Sequence, residues 1–335
     1  MKLAGDLEVG FSDREFALEK IREWGERGTR FPQVVFGPEG CGKTAWLRQS
    51  AKLLREMGYD VIYVNPIERI VDLDIGLSDL RKRLLRDIQE VINKEGWGKI
   101  LNIVIDMVRE VMRLRRGRVA VLIDEAFQVI GVEKSALYIK ALLSVIEHPP
   151  ASYEKIVAVA ATSEGLSRRE IGRHLWAELR PMWNMSREGF KELYDQIPGE
   201  KPSYEDIWMV TGGNPRLLGL LYSAHWDVEK VVAELIRGKG VEIFVTSLNN
   251  IEKRYLFEAI EDPDTLLSRE RLPLLNELVK MNLIIDNISG RESWYWVDHP
   301  PPEKDPELGI GRYVAWQTPL HKEAVKRVLT KLFKT

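Results

Sequence analysis

Apolar residues in the first half of the chain fall into short blocks separated by longer periodic stretches. Residues 33–36, 61–64, 119–123 and 156–161 are such blocks, too short for buried helices and rich in valine and isoleucine. They read as buried strands. Between them, 45–57, 80–92, 100–114 and 137–146 place apolar residues at helical spacing, and Gly58 is positioned to stop the first of these helices. Ahead of the first strand, Ser12-Asp13-Arg14-Glu15 reads as a capping box for a helix carrying Phe16, Leu18, Ile21 and Trp24 and ending near 25–28. Strands that alternate with helices predict an α/β fold, a parallel sheet covered on both faces.

After Met185 the pattern changes to short capped helices. Ser186 opens one through Phe190, Leu193 and Tyr194. Ser203 and Asp206 open another, and Pro215 starts a third through Leu217, Leu218 and Leu221. From about Ile251 helices come first, then apolar runs at 283–285, 294–297 and 313–316 that read as strands. Ser289-Gly290 fits a hairpin turn, 299–308 a proline-rich loop, and 319–332 a closing helix. The expected organisation is an α/β core over 1–185, a helical lid over 186–248 and a winged-helix domain over 249–335.

Composition narrows this further. Of 335 residues, 44% are hydrophobic and 30% charged, which suits a globular protein. The formal net charge of -2 gives no overall pull toward nucleic acid or an anionic membrane. One cysteine, Cys41, excludes an intrachain disulfide and any cysteine metal cluster. His148, His174, His225, His299 and His321 have no metal-site spacing. The N-terminus has no apolar signal run, and no stretch is long enough to span a bilayer, so a cytoplasmic location without membrane contact is expected. Abundant Lys, Arg and Glu beside sparse Gln lean toward a thermophile.

The chemistry begins at Gly37-Pro38-Glu39-Gly40-Cys41-Gly42-Lys43-Thr44, a full G-x-x-x-x-G-K-[ST] match between a strand and a helix. Glycines let successive backbone N–H groups turn toward a phosphate, and the following helix, through Ala45, presents its positive end. Lys43 suits the β- and γ-phosphates, and Thr44 suits Mg²⁺. Asp124-Glu125 close the third buried strand. Asp124 is placed to hold the metal, and Glu125 to polarise a water. The plain alternatives are a glycine turn with a surface lysine and a strand ending in two solvated acids. No N-K-x-D motif follows, so ATP is favoured over GTP.

Thr162 and Ser163 close the fourth strand, where a polar γ-phosphate sensor belongs, Ser163 being the better candidate. Arg216 sits one residue into the helix that Pro215 starts, and reads equally as a nucleotide contact or an exposed arginine. Arg168, Arg169, Arg173 and Arg180 follow the fourth strand, and nothing selects an arginine finger among them. The basic run Arg109, Arg113, Arg115, Arg116 and Arg118 reads first as a solvated helix end. Trp294-Tyr295-Trp296, read as a strand, puts both tryptophans on one face, more a core than a base-stacking surface.

With these residues in place, the chain resembles the archaeal ATPase family of P-loop NTPases, near the STAND and replication-initiator AAA+ ATPases. The resemblance rests on Phe11-Ser12-Asp13-Arg14-Glu15, the P-loop, Leu122-Ile123-Asp124-Glu125 with Gln128, Ser163, and Gly212-Gly213-Asn214-Pro215-Arg216. It implies that the segment from Phe11 through Glu15 lies over the adenine, that Pro215 touches the base and that Arg216 is a second sensor. Pro38-Glu39 departs from the Pro-Arg frequent in relatives, and makes the phosphate entrance less positive. The expected function is a Mg²⁺-dependent ATP-hydrolysing switch releasing ADP, with an unidentified protein partner. The rivals are an ATP-regulated DNA-binding protein and an ATP-binding scaffold with little turnover.

DNA is the weaker rival. Residues 251–335 carry 13 Lys and Arg against 14 Asp and Glu, which is no basic footprint. Fluorescence anisotropy of this segment with duplex DNA at physiological salt should show no affinity as tight as about micromolar.

Overall fold

The computed structural model describes residues 2–5, 7–95, 99–125, 127–163, 165–288 and 290–333. The chain divides into two compact units, and the division crosses the sequence more than once. One unit comprises Glu15–Phe36 and Lys43–Pro181; the other comprises Met1–Arg14, Gly37–Gly42 and Met182–Thr335.

The second of these units begins with a short antiparallel pair, β1 (Lys2–Ala4) and β2 (Leu7–Glu8). The α/β unit then runs α1 (Glu15–Arg27), β3 (Gln33–Phe36), α2 (Lys43–Glu56), β4 (Asp60–Asn65), β5 (Ile70–Asp74), α3 (Ser78–Glu95), α4 (Ile100–Arg115), β6 (Arg118–Asp124), α5 (Phe127–Ile130), α6 (Val132–Glu147), β7 (Lys155–Thr162), α7 (Gly165–Gly172) and β8 (Glu178–Pro181). Its six strands lie in the order β5-β4-β6-β7-β3-β8. All neighbours are parallel except β5, which runs antiparallel to β4.

The expected parallel sheet is present, with this one antiparallel edge added. The pattern along the chain passes over both edge strands, β5 and β8. Edge strands are short and polar because a long apolar edge would recruit other chains, so they lack the apolar block that marks the interior ones. Interior burial is complete on both faces. Val119, Val121 and Ile123 join a core with Ile62, Val104, Ile139 and Leu142, while Ala120 and Leu122, pointing the other way, are equally buried. The Trp46 indole donates to the Ala17 carbonyl at 3.0 Å and fixes α2 against α1.

The predicted capping box does not form. The first helix starts at Glu15, Asp13 and Arg14 hold positive φ angles of 61° and 82°, and Ser12 accepts instead from the Gln196 amide at 2.7 Å. The helix forms through Ala17, Ile21 and Trp24, which are buried.

The remaining unit continues with α8 (Arg187–Asp195), α9 (Tyr204–Thr211), α10 (Pro215–Ser223), α11 (Val228–Gly238), α12 (Val241–Ser247), α13 (Asn250–Glu261), α14 (Leu272–Lys280), β9 (Ile284–Asp286), β10 (Val314–Trp316) and α15 (Pro319–Phe333). The expected caps Ser186 and Ser203 accept from the N–H groups of Gly189 and Asp206, and Asn214, just ahead of the expected opening Pro215, accepts from that of Leu217. One core gathers around Phe190, Leu193, Leu218 and Leu221, another around Leu256, Leu278, Trp316 and Leu329.

β9 pairs antiparallel with β10, with Ile284 opposite Trp316. The strand expected at 294–297 is a turn instead. Trp294 is 65% exposed and Trp296 1%, so the two tryptophans do not share a face. The buried indole donates to the Gly290 carbonyl, a local bond that competes with strand pairing. Ser289 of the expected hairpin turn lies outside the described residues. Among the described residues no helix is long and apolar enough to cross a membrane.

Ile62 is wholly buried between β5 and β6. Ile62→Ala should destabilise its unit by about 2–5 kcal/mol, measured by urea unfolding. Ile243→Ala, at an 80% exposed position, should stay within about 0.5 kcal/mol of the parent.

Candidate functional site

The sheet order puts β7 between β3 and β6, so three strands end at the same level. Phe36 is opposite Thr162, and Asp124 opposite Ala161. In a parallel sheet the carboxyl ends are where ligands bind. Here those ends carry Asp124, Glu125, Thr162 and Ser163.

Asp124 is fully buried. Its Oδ2 accepts from Tyr63 Oη at 3.2 Å and from Asn65 Nδ2 at 3.0 Å. Its Oδ1 has no hydrogen-bond partner among the described residues. Burial, and then the charge of Glu125, push its pKa up to about 6; the nearby Thr44 and Tyr63 hydroxyls and Lys43 oppose the shift. Lys43 and Thr44 open α2, so the chemistry of the P-loop's last two residues comes to the end of β6. A hydroxyl beside an unsatisfied carboxylate oxygen is a donor set that fits a hard divalent cation. His, Cys, Asp and Glu make no cluster of three or more that could hold a metal among the described residues.

Tyr63 and Asn65, which the sequence reading missed, join the candidate site through their bonds to Asp124. Both lie on β4, the neighbour of β6, near its carboxyl end. Asn65 is a polar residue closing an apolar strand, the signal that singled out Ser163. Tyr63 is itself pushed well above its usual range by burial and by the Asp124 charge.

Glu125 has a left-handed φ of 49° and donates its N–H to the Ala161 carbonyl at 3.0 Å. Its carboxylate accepts from the Ser163 hydroxyl, from the Ser163 N–H at 3.2 Å and from Gln128 Nε2 at 3.1 Å. The second acid and the polar strand end therefore form one hydrogen-bonded group. Thr162 is wholly buried beside it.

Of the arginines after this strand, Arg168 is buried with its guanidinium 4.7 Å from the Phe36 ring centre. Arg173 pairs with Glu170, and Arg180 with Glu178. In the earlier basic run Arg109, Arg115 and Arg118 pair with Asp106, Asp60 and Glu154.

The other unit holds residues 37–42 and, with them, the remaining candidates. Gly37 is needed for close approach: a Cβ there would lie 1.9 Å from the Met182 carbonyl oxygen. Gly40 has φ 78°, and its Cβ would meet that of Arg216 at 2.3 Å. Gly42 has φ 106°. Cys41 is wholly buried, its Sγ 3.9 Å from the Met182 oxygen. The Glu39 N–H donates to Gln317 Oε1 at 2.8 Å, and its carbonyl accepts from Asn214 Nδ2 at 3.0 Å.

The Glu39 carboxylate pairs with Lys239 at 2.8 Å and with Arg216 at 3.5 Å. Burial would raise its pKa, but the two cations outweigh this and hold it low. His321 nearby is pushed down to about 3 by burial and then by the Lys239 charge, so its ring is neutral at physiological pH. These residues line a cleft of about 380 Å³ with Leu217, Leu220 and Val231. Phe11 is half-buried, Pro215 is buried at the first position of α10, and Arg14 is buried against protein partners. Lys239 and Gln317 carried no sequence signal, because each reaches the loop from about 200 or more residues away.

A profile of the family described as "ATPase domain predominantly from Archaea" matches residues 11–221. No curated protein matches the chain. Among solved structures, a Walker-type ATPase of Pyrococcus abyssi is 18% identical, with 94% of this chain and 96% of that one covered, at a TM-score of 0.49. AMPPCP-bound DnaA from Aquifex aeolicus is 14% identical, with 82% and 79% covered, at a TM-score of 0.38.

The pKa of Asp124 makes a stability prediction. The unfolded chain ionises this group near 3.8 and the folded one near 6. Folding is therefore unpenalised below about 4, and the cost grows as the pH rises through 6. Asp124→Asn should stabilise the metal-free protein by up to about 3 kcal/mol at pH 8. Urea unfolding should show that gain shrinking as the pH falls toward 4.5.

Proposed function

The chain belongs to the family of ATPase domains found predominantly in Archaea, and from that membership we propose that it is a Mg²⁺-ATP-driven switch of the AAA+/STAND type. The observation that carries the reading is Asp124: a buried carboxylate with an unsatisfied oxygen, beside the Thr44 hydroxyl, at the carboxyl end of an interior strand. An apolar fold gains nothing from such a group unless a ligand uses it.

In this reading the backbone around Gly37, Glu39, Gly40, Cys41 and Gly42, continued by Lys43, Thr44 and Ala45, receives the phosphates, and Lys43 supplies the cation for the β- and γ-groups. Thr44 and Asp124 would hold Mg²⁺, which when bound neutralises charge on the phosphates. Tyr63 and Asn65 keep Asp124 Oδ2 occupied, so that Oδ1 is the oxygen left for the metal. Glu125 orients a water and takes its proton. Ser163 holds the Glu125 carboxylate in place and with Thr162 reads the γ-phosphate. Arg216 acts as the second sensor, Pro215 and Phe11 border the base, and Arg14 serves through the loop carbonyl it binds. Residues 186–248 form the lid and 249–335 the winged helix, which relay the nucleotide state to a protein partner in the cytoplasm.

Two substitutions test the assignment. Lys43→Ala should abolish ATP binding in calorimetry. Glu125→Gln should keep ATP affinity while single-turnover hydrolysis falls roughly 10²–10⁴-fold, the usual worth of a general base. Equal turnover in wild type and Glu125→Gln would remove Glu125 as the base and favour the scaffold reading instead.

A further inference from the structure

Arg14 is 3% exposed and gathers three segments of one unit. Its Nη1 donates to Asp298 Oδ2, and its Nη2 donates both to the Cys41 carbonyl and, at 3.0 Å, to the Trp183 carbonyl. Asp298 is as buried as its partner, with 1% side-chain exposure. It lies in the long segment 287–313 between β9 and β10, far from every nucleotide motif in sequence.

The residues around this pair are pinned as well. Asp13 and Arg14 both have positive φ angles, 61° and 82°, which non-glycine residues adopt only under constraint. The Asp13 carboxylate accepts the Ser186 N–H at 2.9 Å and its hydroxyl at 3.3 Å. On the loop itself, the Cys41 carbonyl goes to Arg14 and the Glu39 N–H to Gln317. These two holds flank Gly40, whose left-handed backbone has no side chain of its own to fix it.

We propose that Asp298 is a positioning residue for nucleotide binding: by orienting the Arg14 guanidinium on the Cys41 carbonyl, it holds the P-loop backbone in one conformation before the ligand arrives. This rests on residues 37–45 being the nucleotide site. The physical sequence is short. Asp298 neutralises a buried guanidinium and fixes its plane. The fixed guanidinium restrains Cys41 between Gly40 and Gly42, the two loop positions with the most backbone freedom. A restrained loop binds without first losing that freedom. The phosphates common to ATP and ADP are affected alike, whereas the water and Glu125 are not touched.

The test uses the full chain. Asp298→Asn keeps the shape and one acceptor but removes the charge. It should weaken ATP and ADP by about the same factor, roughly tenfold, while the single-turnover rate at saturating ATP stays within about twofold. A second variant, Arg14→Met with Asp298→Leu, removes the pair together, so no buried charge is left alone and the fold is retained. It should melt cooperatively near the wild-type midpoint and bind both nucleotides at least as weakly. Wild-type affinity in either folded variant overturns the proposal, because the pair would then serve only the fold. So does an affinity loss confined to ATP, which would place the effect at the γ-phosphate. Wild-type protein that binds no nucleotide overturns this proposal and the reading beneath it together.

Discussion

The register between β6 and β7 is the constraint on which the α/β unit's chemistry depends. Seven consecutive pairs from Arg118–Lys155 to Asp124–Ala161 set how far each strand extends. A slip of one residue would turn Asp124 to the opposite face and replace it at the strand end with Ile123. It would also part Glu125 from Ser163, since their bond requires both strands to end together. Such a slip is resisted because every residue of β6 after Arg118 is buried. A slip would exchange the valines and isoleucine of one face with the alanine and leucine of the other, a change of shape that close packing on both faces resists.

That rigidity is what lets the unit carry an unfavourable group. A carboxylate with no solvent, one orphan oxygen and an acidic neighbour is a local defect in folding terms. The sheet tolerates it because the surrounding strands leave it nowhere else to go, and because Tyr63 and Asn65 satisfy its other oxygen. Glu125 shows the complementary arrangement, half-buried and amply hydrogen-bonded. Two adjacent acids thus sit in opposite environments: Asp124 is buried with one oxygen unsatisfied, and Glu125 is half-buried with its carboxylate hydrogen-bonded.

Much of this was legible along the chain, for identifiable reasons. Interior strands announce themselves because both their faces are apolar, α8 and α9 because Ser186 and Ser203 bond locally to their own first turns, and α10 because Pro215 suits a first helical position. Lys43, Thr44, Asp124 and Ser163 were readable because position relative to a buried strand is a local property. What escaped was long-range. Ser12 has the composition of a cap but is used by Gln196. Trp294 and Trp296 alternate like a strand, but an indole bond to Gly290 makes a turn. Asn65 could have been suspected as a polar strand end. Asp298 could not, because nothing around it in sequence names a partner 284 residues away.

That separation also has a temporal meaning. Segments 1–14 and 37–42 belong to the same compact unit as 182–335, so residues made early have partners made much later. At about 5–20 residues per second, Arg14 waits on the order of tens of seconds for Asp298 to be synthesised. Throughout that interval the arm around it has no buried site to enter, and a cation destined for the interior stays in water. Closure of this unit therefore cannot precede the synthesis of Asp298, and contacts so distant in sequence make it correspondingly slow. A nascent chain would carry residues 37–42 long before Asp298 and Gln317, on which their native supports depend, are made.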